Sequence, residues 1–275
     1  DNAMKWGFGW DFGPFEVWDA LGVKESVARM QGDGRKIPAW ITSMLQKGFT
    51  SFYGFNGKVK TYYDPASESM LPVPTHLLAV DFDVIKKTGG LIKKDWSASL
   101  IDLGDGVAAV TLHSVLQPTF NPIDGSVISM FDQAIDWVQE NGYKGLVIAS
   151  EAPHFSAGAN LALMLRAIDE KDWAGLDAMS KAMQDTMQKM RFAPFPVIAA
   201  PHSLALGGGY EIMGAADRIV ASAELYTGLV EVGVGLIPGA GGNLRMIMKT
   251  QDRYGKGRTG AFQVAQKAFE AIGFA

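Results

Sequence analysis

The chain has 275 residues, 48% hydrophobic and 20% charged, with a net charge of −4 and no cysteine. That composition supports a sizeable core and argues against global disorder, nucleic acid and anionic membranes as partners. Without cysteine, disulfides, thiolate nucleophiles and zinc–thiolate sites are excluded, which fits a reducing cytoplasm, and no apolar run approaches the ~18 residues of a membrane span.

The opening Asp1-Asn2-Ala3-Met4 reads as an expression scar before a starting methionine. Residues 6 to 52 are aromatic-rich and helix-like. "PFEVWDALGV" places Phe15, Trp18 and Leu21 at helical spacing, and "PAWITSMLQKG" starts near Pro38 and stops at Gly48. "YGFNGKVKTYYDPASESMLPVP" then loses periodicity, and its Pro, Ser and Gly predict a linker. The organisation expected is a helical segment over 4–53, a linker over 54–90 and a second domain over 91–275. Trp6, Trp10 and Trp18 are expected either in the core of the first segment or on an apolar patch.

The second region alternates strands and helices. "SASLIDLGDGVAAVTLHS" reads as two strands joined at Gly104-Asp105-Gly106. "GSVISMFDQAIDWVQENG" is an amphipathic helix with Val127, Met130, Phe131, Ala134, Ile135 and Val138 on one face. "GLVIAS" is a short buried strand. Residues 161 to 191 look helical and methionine-rich, and "PVIAAP", "RIVAS" and "ELYT" continue the strands. The alternation predicts an α/β layered fold.

Chemistry concentrates after "PVIAAP". In "HSLALGGGYEIMGAADRIVAS" three glycines, Gly207 to Gly209, separate a strand from a helix that begins near Gly208. A helix start exposes unpaired N–H groups and partial positive charge, so it can donate to a developing oxyanion. The alternative is a tight turn packed on the sheet. "HFSAGANL" offers a second strand–loop–helix turn in which the N–H of Ala159 follows Gly158. The two turns either converge on one carbonyl or are unrelated loops.

Two acids accompany them. Glu211 lies in the first helical turn, where the dipole is expected to favour the carboxylate. Glu231, in "GLVEVGVGLIPGAGG", has apolar neighbours expected to favour the neutral form. Two carboxyls in opposite protonation states make a general base and a general acid, against the ordinary expectation of solvated surface glutamates. His76, His113, His154 and His202 show no metal-ligand spacing, and "FNGKVK" lacks the pattern of a phosphate loop. The methionines at 164, 179, 183, 187 and 190 read as core or pocket lining.

"HFSAGANL", "PVIAAPHSLALGGGYEIMGAADRIVAS" and "GLVEVGVGLIPGAGGNLR" together resemble the enoyl-CoA hydratase (crotonase) superfamily over roughly residues 98 to 250. The resemblance implies a crotonase-like ββα layered core and acyl-CoA thioesters as ligands. It implies an oxyanion hole from the N–H groups of Ala159 and Gly208, with Glu211 and Glu231 as the catalytic pair. No cofactor or metal is implied in this chain; self-association into a homo-oligomer is. Asn160 stands where the family usually has Asp, and is expected to support its loop. An enoyl-CoA isomerase, needing one glutamate, and a non-catalytic binding segment are the alternatives. "GFGWDFGPFEVWDALGV" is similar to the C-terminal helical domain of 3-hydroxyacyl-CoA dehydrogenases, so the whole resembles the junction of a bifunctional β-oxidation protein. Its NAD site would lie upstream, since "GVGLIPG" has Pro238 where a dinucleotide loop needs its third glycine. The resemblance also implies further helices after the last one here, closing the acyl pocket.

Overall fold

The computed structural model describes residues 1–57, 59–74, 79–254 and 260–273, leaving aside the side chains of residues 6, 261 and 273. Residues 1–88 and 89–275 form two compact units. His76 lies outside the described residues, and so does the side chain of Trp6.

In the first unit, helices α1 (Asn2–Phe8), α2 (Pro14–Leu21), α3 (Val23–Gly32) and α4 (Ala39–Gln46) precede strands β1 (Tyr53–Asn56), β2 (Val59–Asp64) and β3 (Ser69–Pro72). A short α5 (Phe82–Ile85) follows. Pro14 opens α2, where its missing N–H costs nothing, and the Glu16 carboxylate accepts from the Gly13 N–H at 2.9 Å. Val23, Val27, Ile41, Met44, Phe52 and Tyr63 form the core. The Phe52 ring lies 4.8 Å from Phe15, 5.3 Å from Trp18 and 5.8 Å from Trp40, in tilted or edge-on geometries that aromatic quadrupoles favour. The stripe predicted along α2 is only partly used: Phe15 and Trp18 join this cluster, but Leu21 is 71% exposed. Trp10 is half exposed.

The predicted linker over 54–90 is corrected by the structure. Residues 53–72 form an antiparallel meander in the order β1-β2-β3, with Tyr53 opposite Tyr62 and Tyr63 opposite Met70. Alternation drives it: Thr61 and Tyr63 point inward while Lys60, Tyr62 and Asp64 are less buried. The strands are short, so their turn residues outweigh that alternation in a compositional reading. Both carboxylate oxygens of Asp19 tie α2 to the sheet, accepting from the N–H groups of Phe52 and Tyr53 at 2.7 and 2.9 Å. Asp19→Ala orphans two part-buried donors. It should destabilise the chain by about 2 kcal/mol, within the range for lost charged hydrogen bonds; urea denaturation showing less than half that would mean the two amides find other partners.

The second unit carries a six-stranded sheet, built from β4 (Leu91–Lys94), β5 (Ala98–Gly104), β6 (Val107–Leu112), β7 (Gly145–Ser150), β8 (Val197–Ala199) and, after β9 (Leu204–Leu206), β10 (Arg218–Ile219). Its order is β10-β8-β7-β6-β5-β4, antiparallel from β4 to β6 and parallel from β6 onward. The helices are α6 (Gly125–Glu140), α7 (Leu161–Asp169), α8 (Trp173–Arg191), α9 (Gly208–Ala215), α10 (Gly242–Tyr254) and α11 (Ala261–Gly273). β11 (Tyr226–Gly228) pairs in parallel with β9 as a separate two-stranded ladder.

The predicted face of α6 is the buried one, with Ile128 added, and Asp124 caps its start through the N–H groups of Ser126 and Val127. The helical stretch predicted over 161 to 191 is two helices. Lys171 adopts φ +58°, which stops α7, and Asp172 then caps α8 through the Gly175 N–H. Met183, Met187 and Met190 enter the core beside Phe131, Phe155 and Ile212.

Candidate active site

The two strand–loop–helix turns pack against each other. The loop after β7 runs alongside β9: Ser156 N–H donates to the Leu204 carbonyl at 3.0 Å, and Leu206 N–H to the Ser156 carbonyl at 2.9 Å. The glycines follow from this backbone-on-backbone contact. Gly158 adopts φ +98°, and a β-carbon there would lie 3.0 Å from the Leu206 carbonyl oxygen. A β-carbon on Gly209 would lie 2.6 Å from the Ser156 carbonyl oxygen, a distance real side chains do not tolerate. Gly158 and Gly209 are therefore required by the contact between the two turns.

Ala159 and Gly208 line one cavity of about 380 Å³, and Glu211 and Glu231 line it too. The two backbone positions are close: a β-carbon on Gly208 would sit 3.6 Å from the Ala159 nitrogen. Neither N–H donates to a protein acceptor among the described residues. Met164, Met179 and Met183 contribute apolar wall.

Glu211 is only 3% exposed. Its Oε1 accepts from the N–H groups of Ala240 and Gly242, both at 2.8 Å, so the carboxylate also occupies the start of α10. Glu231 opens a 3-10 turn (Glu231–Val234), and its Oε1 lies 3.4 Å from where a Gly207 β-carbon would stand. Its Oε2 is buried without a hydrogen-bond partner among the described residues.

Burial pushes both carboxyls above their ordinary pKa. At Glu211 the Gly242 and Ala240 amides and the Arg245 charge oppose this without overcoming it. At Glu231 its own N–H opposes, and the neighbouring Glu211 charge adds to the rise. The predicted shift of Glu211 toward the carboxylate is thus corrected. A helix dipole contributes roughly 0.3–1 kcal/mol, less than the cost of burying the charge. What separates the two acids is hydrogen bonding: Glu211 Oε1 has two donors from the start of α10, whereas Glu231 has its own N–H and its Oε2 has no partner among the described residues.

The sign of the linkage follows. A carboxyl whose pKa rises on folding stabilises relative to its ionised form below the ordinary value of 4.5, and that contribution is lost as pH rises through the raised value. Glu231→Gln removes the titration. Its stability relative to the wild type should therefore climb as pH increases above 4.5. A difference in melting temperature independent of pH would show that Glu231 is not destabilised by ionisation.

The remaining candidates make structural hydrogen bonds. His154 Nδ1 pairs with Ser203 Oγ at 2.9 Å, and His202 Nε2 with the Ala152 carbonyl at 2.9 Å. His113 Nε2 pairs with Ser99 Oγ at 2.6 Å. Asn160 caps α7, its Oδ1 facing the Leu163 N–H at 3.4 Å, the supporting role expected of it. Among the described residues no cluster of three His, Asp or Glu could hold a metal ion, and no helix is long and apolar enough to cross a membrane. Sequence reasoning missed the Ala240 and Gly242 amides. The signal was there in "PGAGG", a glycine-rich segment opening a helix.

Residues 102–254 match the enoyl-CoA hydratase/isomerase family. Over all 275 residues the chain is 41% identical to a Bacillus subtilis protein named "Probable 3-hydroxyacyl-CoA dehydrogenase", of which it covers 34%. Over 141 residues, 51% of this chain and 52% of the relative, it is 29% identical to a "Probable enoyl-CoA hydratase" from the same organism. A solved enoyl-CoA hydratase structure from Geobacillus kaustophilus superposes with a TM-score of 0.51 at 26% identity, covering 65% of this chain and 66% of that one. The chain thus spans about a third of the first relative and half of the second.

Proposed function

The chain belongs to the enoyl-CoA hydratase/isomerase family, and from that premise we propose that residues 91–275 hydrate 2-enoyl-CoA thioesters to 3-hydroxyacyl-CoA in fatty-acid β-oxidation. The observation that carries this reading is one cavity lined by two glutamates of raised pKa and by two backbone N–H groups that no protein acceptor takes among the described residues.

The Ala159 and Gly208 N–H groups donate to the thioester oxygen and stabilise the enolate that forms on it. Glu211, its Oε1 held by two amides, takes a proton from water as the water oxygen bonds to C3. Glu231, whose Oε2 has no hydrogen-bond partner among the described residues, gives its proton to C2. The double bond is consumed and one water is added, and the cycle closes when the proton taken up by Glu211 is restored to Glu231. Each step uses carboxyls and backbone amides of this chain. Acyl-CoA is the substrate, and no cofactor takes part.

Residues 4–53 we read as part of a dehydrogenase helical domain, since a relative matched over the whole chain carries that name. In a longer protein of that kind the 3-hydroxy product passes to an NAD-dependent oxidation outside this chain, in the cytoplasm. Self-association is supported by Val232, Val234 and Ile237, which are 78%, 58% and 79% exposed beside the cavity.

The test is incubation of the chain with crotonyl-CoA, following loss of the conjugated thioester absorbance and formation of the 3-hydroxy product. Conversion of a 3-enoyl to a 2-enoyl thioester without hydration would replace this reading with an isomerase. Binding without either conversion would leave an acyl-CoA-binding segment.

A further inference from the structure

We infer that Asn121 is a positioning residue for the oxyanion turn, an inference that rests on the role proposed for Ala159. The Ala159 N–H belongs to the same peptide plane as the Gly158 carbonyl. In a trans peptide the two point in opposite directions, so whatever fixes the carbonyl aims the N–H. The Gly158 carbonyl accepts from the Ile123 N–H at 2.8 Å. The turn is held on both sides by the same segment: Ala157 N–H donates to the Phe120 carbonyl at 2.8 Å and Asn160 N–H to the Ile123 carbonyl at 2.9 Å. Residues 120–123 are thus the template on which the donor is oriented.

That template is an irregular segment, outside the sheet, and Asn121 is what fastens it. Asn121 is 1% exposed and sits at φ +49°, in the left-handed region that asparagine enters more readily than other side-chain-bearing residues. Its Oδ1 accepts from the Ser114 N–H at 2.8 Å, just beyond the end of β6. Its Nδ2 donates to the Phe155 carbonyl at 2.8 Å and to Ser150 Oγ at 3.0 Å. Ser150 Oγ in turn lies 3.0 Å from the His154 carbonyl and accepts from the Ala152 N–H at 3.1 Å. One buried amide therefore joins the segment after β6, the end of β7 and the entry to the oxyanion turn. It uses one acceptor and two donors, a set that neither Asp nor Ser supplies.

The experiment compares Asn121→Gly and Asn121→Asp with the wild-type chain. Glycine keeps the left-handed backbone and removes the side chain. Aspartate keeps the acceptor for Ser114 but sets a carboxylate against the Phe155 carbonyl. Four quantities are read: kcat and KM for crotonyl-CoA, amide exchange at Ala157 and Asn160, and exchange in β6 and β7. Both variants should lose at least ~10-fold in kcat with KM within about threefold, because the donor acts chiefly on the developing oxyanion. Exchange at Ala157 and Asn160 should quicken while β6 and β7 keep their protection. Wild-type kcat in Asn121→Gly, or unchanged exchange at the turn, would overturn the inference. If either variant loses protection in the sheet as well, Ser150→Ala, which removes one partner of Asn121, should give the same pattern at smaller size, and unaltered kcat there would equally overturn it. If the wild type itself does not hydrate crotonyl-CoA, the proposed function fails, and the exchange data still decide whether Asn121 holds the turn.

Discussion

Glu231→Gln should lower kcat for crotonyl-CoA hydration by at least ~100-fold, the scale of a lost general acid, while the fold survives. Gln preserves the shape of a side chain whose Oε2 has no hydrogen-bond partner among the described residues. It also removes a carboxyl whose ionised form burial and the neighbouring Glu211 charge disfavour, so stability should hold or rise as pH increases. The proton delivered to C2 would have no donor. A second measurement isolates that step: solvent deuterium should enter C2 far more slowly in Glu231→Gln. Glu211→Gln is expected to lose a similar factor by a different route. Its carbonyl oxygen can keep the Ala240 and Gly242 amides, so the loop stays in place and only the basic oxygen is lost. Glu211→Ala, by contrast, should also destabilise the chain, because two buried N–H groups lose their acceptor at roughly 1–3 kcal/mol each. Near-wild-type turnover in either Gln variant would reject the assigned pair.

The elements that sequence periodicity could reach were those with a single buried face. The α6 stripe from Val127 to Val138 was legible because one side of a 16-residue helix packs on the sheet. The β5–β6 hairpin was legible from its Gly104-Asp105-Gly106 turn. The meander over 53–72 was not, because strands of four to six residues between Pro, Ser and Gly leave little pattern to count. Among the site residues, Ala159, Gly208, Glu211 and Glu231 could be nominated from the types and order of residues, and the structure brings all four to one cavity. Their protonation could not be nominated. Helix position alone suggested a charged Glu211, whereas burial, a property of the assembled fold, dominates its shift. Long-range partners were also invisible. Glu211 meets Ala240 and Gly242, and Asn121 meets Ser150 and Phe155, only once β7, β9 and α10 are in register.

Gly158→Ala is expected to damage stability and activity together, because the position is constrained twice. Its φ of +98° is strained for any residue with a β-carbon, at about 1–3 kcal/mol. The added carbon would also meet the Leu206 carbonyl oxygen at 3.0 Å and the Gly208 nitrogen at 3.3 Å. Both are backbone atoms that cannot rotate away, so overpacking adds about 1–3 kcal/mol. The sum, about 2–6 kcal/mol, is a large share of the ~5–15 kcal/mol that separates a folded domain from its unfolded state. Gly235 supplies the control. It has a similar positive φ of +77° but nothing within 4 Å of its β-carbon position, so Gly235→Ala should show the strain alone. The difference between the two variants in denaturant midpoint then measures the contact between the turns. Activity should separate them further. Relief of the Gly158 clash requires the turn to move away from Gly208, and two N–H donors that share one oxygen cannot both follow. The folded fraction of Gly158→Ala should lose at least ~100-fold in kcat, comparable to removal of one oxyanion donor, while Gly235→Ala stays within about threefold of the wild type. Equal stability and equal turnover in the two variants would show that the turns do not need their close approach, and the shared oxyanion site would fall with it.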